Sequence, residues 1–206
     1  MERYFSELAT AFVRGRLSNP TASIEDGLAA GLRLHKFKQN SELPRVRRVL
    51  SILRGLAPES LLDVGSGRGT FLWPLMANFS ETQVTAIDVS EQRTSDIDAV
   101  HRGGIHRLRA FRMDVCNTTF PDATFDGVTI LEVLEHLRNP DAALREALRV
   151  ARRFVIATVP STPDDNPEHI HLFTVDRLKE MATAAGCERP KIEHVLNHRV
   201  LICIKQ

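Results

Sequence analysis

From residue 43 to residue 160 the apolar positions follow two alternating rhythms. Short apolar runs read as buried strands, and the longer stretches between them carry helical spacing. The runs are Leu61-Leu-Asp-Val64, Gln83-Val-Thr-Ala-Ile-Asp88, one ending Phe111-Arg-Met-Asp114-Val-Cys116, Phe125-Asp-Gly-Val-Thr-Ile-Leu131, and a fifth over 151–160. Such alternation predicts an α/β fold: a Rossmann-like, mainly parallel sheet with helices on both faces. A helix is expected after Thr70, with Pro74 kinking it or delaying its start. Residues 161–168 form a loop by composition, and His169-Ile-His171-Leu-Phe173 follows it. A helix over 174–185 then begins at Thr174, a reasonable N-cap, and stops at Gly186. The apolar stretches 192–196 and 199–204, joined at Asn197-His198, predict a C-terminal antiparallel hairpin. Ahead of all this, residues 1–42 read as helical pieces 2–16 and 23–34, separated by Ser18-Asn-Pro-Thr21. The chain thus divides into an N-terminal helical zone, 1–42, and a main domain, 43–206.

The first run leads into Asp63-Val-Gly65-Ser66-Gly67-Arg-Gly69, an acid followed by three glycines at alternate positions. Glycine is needed where a Cβ would clash or where φ must be positive. The N–H groups of the helix that follows would face the same bend, so the bend marks a place for a nucleotide-like ligand. The spacing GxGxG departs from the GxGxxG dinucleotide fingerprint. Arg68-Gly69-Thr70 also lacks the Gly-Lys-Ser/Thr ending of a phosphate loop, so pyrophosphate binding is disfavoured. Asp88 closes the second run about 20 residues after the last glycine, where α/β nucleotide folds present a carboxylate to ribose hydroxyls. Asp114 ends the third run, and Glu132 and Glu135 follow the fourth. Ligands bind outside the carboxyl ends of strands in open parallel sheets, which predicts that these acids converge.

Composition narrows the partners. With 206 residues, 43% of them hydrophobic, the chain can bury one sizeable core. A net charge of +1 gives no global attraction to nucleic acid or anionic membranes. No apolar run reaches the roughly 20 residues of a membrane span, and Met1-Glu-Arg-Tyr4 lacks a signal-peptide profile. Cys116, Cys187 and Cys203 are scattered and odd in number, which fits a reducing cytoplasm. The basic residues between Arg33 and Arg54 read either as a solvated helix face or as a patch for an acidic substrate.

In motif order the chain resembles the class I S-adenosylmethionine-dependent methyltransferases over roughly residues 43–206. Asp63, Gly65, Ser66, Gly67 and Gly69 correspond to their first motif, which packs against the methionine part of the cofactor. Asp88, followed by Val89, stands at the ribose-binding acid, and Asp114 with Val115 at the adenine contact. Leu131 and the Glu-Val-Leu-Glu-His segment after it are similar to the post-strand segment of members acting on small metabolites. The usual Lys-Pro-Gly-Gly turn before the fifth strand is replaced by Val150-Ala-Arg-Arg153. The resemblance implies S-adenosylmethionine as cofactor, a small-molecule acceptor, and a lid or cap role for residues 1–42.

The remaining chemistry lies in Glu132, Glu135, His136 and the pair His169/His171. Methyl transfer removes the positive charge of the sulfonium, so much of the acceleration comes from alignment and desolvation. An oxygen or carbon acceptor of high pKa needs a general base, for which His136 is the first candidate and His171 the second. If residues 133–137 begin a helix, Glu132 and His136 share a face. With Glu135 and His171 they would then make a divalent-metal set. That pattern is similar to the small-RNA 3′-terminal 2′-O-methyltransferases, in which the metal holds the terminal ribose hydroxyls. The reading preferred here uses no metal. A dinucleotide oxidoreductase and a non-catalytic scaffold with the same fold remain the alternatives, and direct cofactor binding discriminates the first of them.

Overall fold

The computed structural model describes residues 5–39, 43–163 and 165–205. The first four residues, the boundary expected at residue 42 and Asp164 in the expected loop lie outside it. The pleat of the strands explains why two helical layers form. Successive side chains alternate faces, and the apolar runs send Leu61, Phe154, Ile156, Val200 and Ile202 into one core. Their neighbours Leu62, Val155, Ala157, Leu201 and Cys203 enter the other.

The sheet runs β3-β2-β1-β4-β5-β7-β6, with seven strands among the described residues. The strands are β1 (Ser60–Val64), β2 (Gln83–Asp88), β3 (Leu108–Arg112), β4 (Phe125–Leu131), β5 (Ala151–Pro160), β6 (Lys191–Val195) and β7 (His198–Ile204). β1 to β5 pair in parallel. β7 runs antiparallel to both β5 and β6, which gives the expected hairpin. Asn197 turns it in the left-handed region, at φ 60°. β1 has β2 on one side and β4 on the other, so strand order reverses beside it; ligands of such sheets bind at that reversal.

The helices are α1 (Ser6–Leu17), α2 (Ile24–Ala29), α3 (Pro44–Leu56), α4 (Leu72–Asn78), α5 (Glu91–Arg102), α6 (Pro140–Val150) and α7 (Val175–Ala184). Pro74 is the third residue of α4, inside the first turn where a missing N–H costs little; the helix starts late rather than kinking. Thr174 caps α7 by accepting from the Arg177 N–H at 3.1 Å. Ser23 and Asp26 cap α2 reciprocally. Three elements differ from the sequence reading. The helical piece expected over 23–34 ends as α2 at Ala29, and a separate 3-10 turn follows at His35–Phe37. β3 ends at Arg112, leaving Asp114 two residues beyond the strand. Residues 133–137 make only a single 3-10 turn, Leu134–His136.

α1 belongs to the core beneath the sheet. Gly15 and Gly103 let its backbone touch α5: a Cβ on either would sit 1.9 or 1.7 Å from a carbonyl oxygen of the facing helix. Arg16 and Lys36 both pair with Asp96 on α5. The Lys36 ammonium also lies 4.1 Å from the centre of the Phe12 ring. Other members of the basic stretch are similarly engaged. Arg48 makes a forked pair with Glu193 at 2.6 and 2.9 Å, and Arg54 donates to Asn78 at 2.7 Å. No helix among the described residues is long and apolar enough to cross a membrane.

Candidate active site

At the carboxyl ends of β1, β2 and β4 a cavity of about 710 Å³ opens. Its floor is the glycine bend after β1. Gly65 and Gly67 adopt φ of 65° and 57°, a region glycine enters without penalty. A Cβ on Gly65 would stand 2.4 Å from Val133 Cγ2, so the bend and the opposite wall touch directly. Asp63, Gly65, Ser66 and Gly67 line the cavity, as the sequence led one to expect. So do Asp88, Val89, Asp114, Val115 and Leu131. Gly69, expected with them, is not among the lining residues. Its Cβ would lie 2.0 Å from the Trp73 Nε1 atom. That indole N–H donates to the Arg68 carbonyl at 2.9 Å, so Gly69 makes room for a core tryptophan.

The acids converge but differ in what holds them. Asp63 is 2% exposed. It accepts from the Ser66 hydroxyl at 2.7 Å and the Thr129 hydroxyl at 2.9 Å. Burial pushes its pKa up to about 6, an effect the two hydroxyl donors partly offset. Asp88 accepts one backbone N–H on each oxygen, from Gly67 at 3.0 Å and from Ser90 at 2.9 Å. It thereby ties the glycine bend to the end of β2. Arg93 approaches the same carboxylate at 3.4 Å. Asp114 is exposed and accepts from the Cys116 N–H at 2.8 Å.

Beyond β4 the chain leaves the sheet abruptly. Glu132 still pairs with β5 through its N–H, 3.0 Å from the Thr158 carbonyl, yet it takes φ 56°. Its carboxylate accepts from Thr158 Oγ1 at 2.7 Å and His198 Nε2 at 2.9 Å, with Arg45 Nε at 3.5 Å. It is therefore not on a helical face with His136, and the four-residue metal set Glu132, Glu135, His136 and His171 does not assemble. The described metal-capable group is instead Glu135, His136 and His169, whose ligand atoms all lie within 4.8 Å of one another.

Of the two histidines put forward as bases, only His136 lines the cavity. Its Nδ1 lies 2.9 Å from the Glu168 carbonyl. A carbonyl only accepts, so Nδ1 carries the hydrogen and Nε2 keeps a lone pair. His171, the second candidate, does not line the cavity; its Nε2 lies 2.9 Å from the Leu137 carbonyl and its ring packs against Phe173.

Residues 62–155 match the family model described as a methyltransferase domain. Over 113 residues the chain is 32% identical to the 27-O-demethylrifamycin SV methyltransferase of Amycolatopsis mediterranei, covering 51% of this chain and 40% of that protein. It is 31% identical over 124 residues to the tRNA U34 carboxymethyltransferase of Shewanella frigidimarina, covering 58% and 37%. The chain thus spans about two fifths of the length of these curated relatives. Its fold is shared with the 1,6-didemethyltoxoflavin-N1-methyltransferase of Burkholderia thailandensis, at a TM-score of 0.64 and 22% identity, covering 81% of this chain and 80% of that one. Residues 62–155 thus carry a methyltransferase domain, set in a fold that solved methyltransferase structures share. Several cavity residues escaped the sequence reading as site residues. Arg45 and Val46 come from the first turn of α3, and Met113, Val133 and Glu168 from loops. Only Val133 sits in a motif, the Glu-Val-Leu-Glu-His segment, and the folded chain brings the rest to it. No described residue of 5–39 lines the cavity; α3 provides its helical wall.

Proposed function

We propose that this protein binds S-adenosylmethionine in the cavity after β1 and passes its methyl group to a small-molecule acceptor. One observation carries the proposal: a side-chain-free bend, Gly65 to Gly67, is tied by a buried carboxylate, Asp88, at the point where strand order reverses. Each oxygen of that carboxylate holds one backbone N–H, which leaves lone pairs for the hydroxyls of a ribose. The glycine bend lets the methionine portion lie against bare peptide, and Asp114, Val115 and the exposed Val89 receive the base. The volume lies within the range usual for small-molecule sites.

In the transfer step the acceptor's lone pair forms a bond to the methyl carbon as the carbon–sulfur bond breaks. The bonding pair goes to sulfur, which becomes a neutral thioether. No new charge arises on the cofactor, so the protein's task is to align the two partners and exclude water. Where the acceptor is a hydroxyl, His136 Nε2 is the cavity group that takes its proton. A small acceptor is favoured over nucleic acid because Lys36, Arg45, Arg48 and Arg54 each already engage a partner within the chain.

Isothermal titration with S-adenosylmethionine and its demethylated product tests the reading. Micromolar affinity for both, with no comparable affinity for NAD, is expected. Binding of NAD alone would move the chain to the oxidoreductases. Tight cofactor binding without methyl transfer to a broad acceptor panel would favour the scaffold.

A further inference from the structure

We propose that Glu135, His136 and His169 form a site for one divalent transition-metal ion in the cavity wall, and that an ion held there inhibits methyl transfer. The inhibition rests on the function proposed above; the site itself does not.

Two imidazole nitrogens and one carboxylate oxygen lie within 4.8 Å of one another, and the two rings stand 4.7 Å apart centre to centre. An ion with bonds of about 2.0–2.2 Å holds its ligand atoms roughly 3–3.5 Å apart, so small side-chain rotations close the set. The surroundings are built for ligation in two further respects. His136 is already oriented as metal-bound histidines are, with one ring nitrogen on a backbone carbonyl, that of Glu168 at 2.9 Å, and the other aimed elsewhere. The loop carrying His169 is also fastened to the opposite ligand. The Glu135 carbonyl accepts from the Ile170 N–H at 2.9 Å and the His171 N–H at 3.3 Å. The His169 N–H itself donates to the Asn166 carbonyl at 3.0 Å. Glu135 is fully buried, so its carboxylate meets an ion with little competition from water.

The donor set selects the ion. Two imidazoles with one carboxylate suit Zn²⁺, Co²⁺, Mn²⁺ or Fe²⁺, whereas Mg²⁺ and Ca²⁺ favour oxygen ligands. Of the three ligands His136 lines the cavity, so an ion held on it lies at the cavity wall. An ion on His136 Nε2 occupies the lone pair that would take the acceptor's proton, and transfer to a hydroxyl then slows.

The test is a Co²⁺ titration of the whole chain followed by its visible d–d absorption, with Zn²⁺ displacement followed calorimetrically. One equivalent of Co²⁺ should bind with bands characteristic of nitrogen and oxygen ligation. His169→Ala, on a loop rather than in the core, should weaken binding by at least tenfold and abolish those bands. Glu135→Gln should do the same, and binding of the demethylated cofactor reports that either variant is folded. Absence of bands in the unmodified protein, or unchanged Co²⁺ affinity in His169→Ala, would overturn the site. Failure to bind S-adenosylmethionine alongside normal Co²⁺ bands would instead remove the functional reading and leave the site standing. Added Zn²⁺ should lower the transfer rate of the unmodified protein, and an unchanged rate at saturating Zn²⁺ would overturn the inhibition.

Discussion

Replacing Asp88 by Asn isolates the proposed ribose contact from everything else in the cavity, because the side chain keeps its size and loses only charge and one acceptor. In the native protein the carboxylate is 4% exposed and meets the Gly67 and Ser90 N–H groups, one on each oxygen. Arg93 reaches it at 3.4 Å from a half-exposed position. An amide here points its NH₂ at one of the two backbone donors or at the ligand, so at least one interaction is lost wherever the group turns. A hydrogen bond to an ionised partner contributes about 1.5–3 kcal/mol, and the negative charge vanishes with it. The dissociation constant of the demethylated cofactor should therefore rise by about 10- to 150-fold. The demethylated form is the right probe, since it binds without turning over. Isothermal titration reads the affinity, and urea unfolding reads separately any loss from the backbone donor left facing an amide, about 1–3 kcal/mol. An affinity within about threefold of the native value, in a variant that still unfolds cooperatively, would refute the assignment of Asp88 to the ribose.

Other substitutions address the bend and the buried acid. Gly65→Ala puts a Cβ 2.4 Å from Val133 Cγ2 at a positive φ, so Val133 must move into the cavity. Cofactor affinity should fall by more than tenfold while melting temperature changes by only a few degrees, and an unchanged affinity would show that Val133 yields without cost. Gly69→Ala meets the Trp73 indole at 2.0 Å, so its effect should be on stability, about 2–3 kcal/mol by urea unfolding, and a wild-type midpoint would contradict the packing argument. For Asp63 the sign follows from its raised pKa. With an ordinary value near 3.9 in the unfolded chain and about 6 in the fold, the native state holds the extra proton between those limits. Its contribution is thus fully present below about pH 4 and lost as pH rises through about 6, on the order of 3 kcal/mol in all. Asp63→Asn should gain on the native protein by roughly that amount between pH 4 and pH 7, and a stability difference independent of pH would refute the burial argument.

Most of the sheet could be read from the chain because the strands announce themselves twice, by apolar runs and by what ends them. β2, β4 and β5 begin and end where the runs do. β3 was displaced because Leu108 to Arg112 alternates weakly, with only Leu108 buried. The cavity floor was legible for the same reason: Gly65 and Gly67 need a conformation and a clearance that few other residues supply. Gly69 answers the same pattern with a different cause, since its missing side chain faces Trp73. Periodicity misled over 132–137, where Glu132 and His136 are spaced for a helix. The left-handed turn at Glu132 is held by Thr158 and His198, partners 26 and 66 residues away, and no local pattern encodes them. Arg45 is a similar case, because its role depends on α3 standing over the rim.

The way each acid is held also bears on the chemistry. A sulfonium loses its positive charge as the methyl group departs, so a negative group placed close to sulfur stabilises the starting complex more than the transition state and slows the reaction. Two cavity acids come from the strands nearest that end, Asp63 on β1 and Glu132 just past β4, and neither presents a bare charge. Both oxygens of Asp63 accept from hydroxyls in a buried setting that favours its neutral form. Both oxygens of Glu132 are engaged by Thr158 and His198, with the Arg45 guanidinium beside them. Asp88 lies on the other side of the bend, at the end of β2, where the proposed partners, ribose hydroxyls, do not change polarity during transfer. The carboxylate that ties the glycine bend is thus the one proposed for binding, while those nearer the expected reaction centre are compensated by side-chain partners of their own.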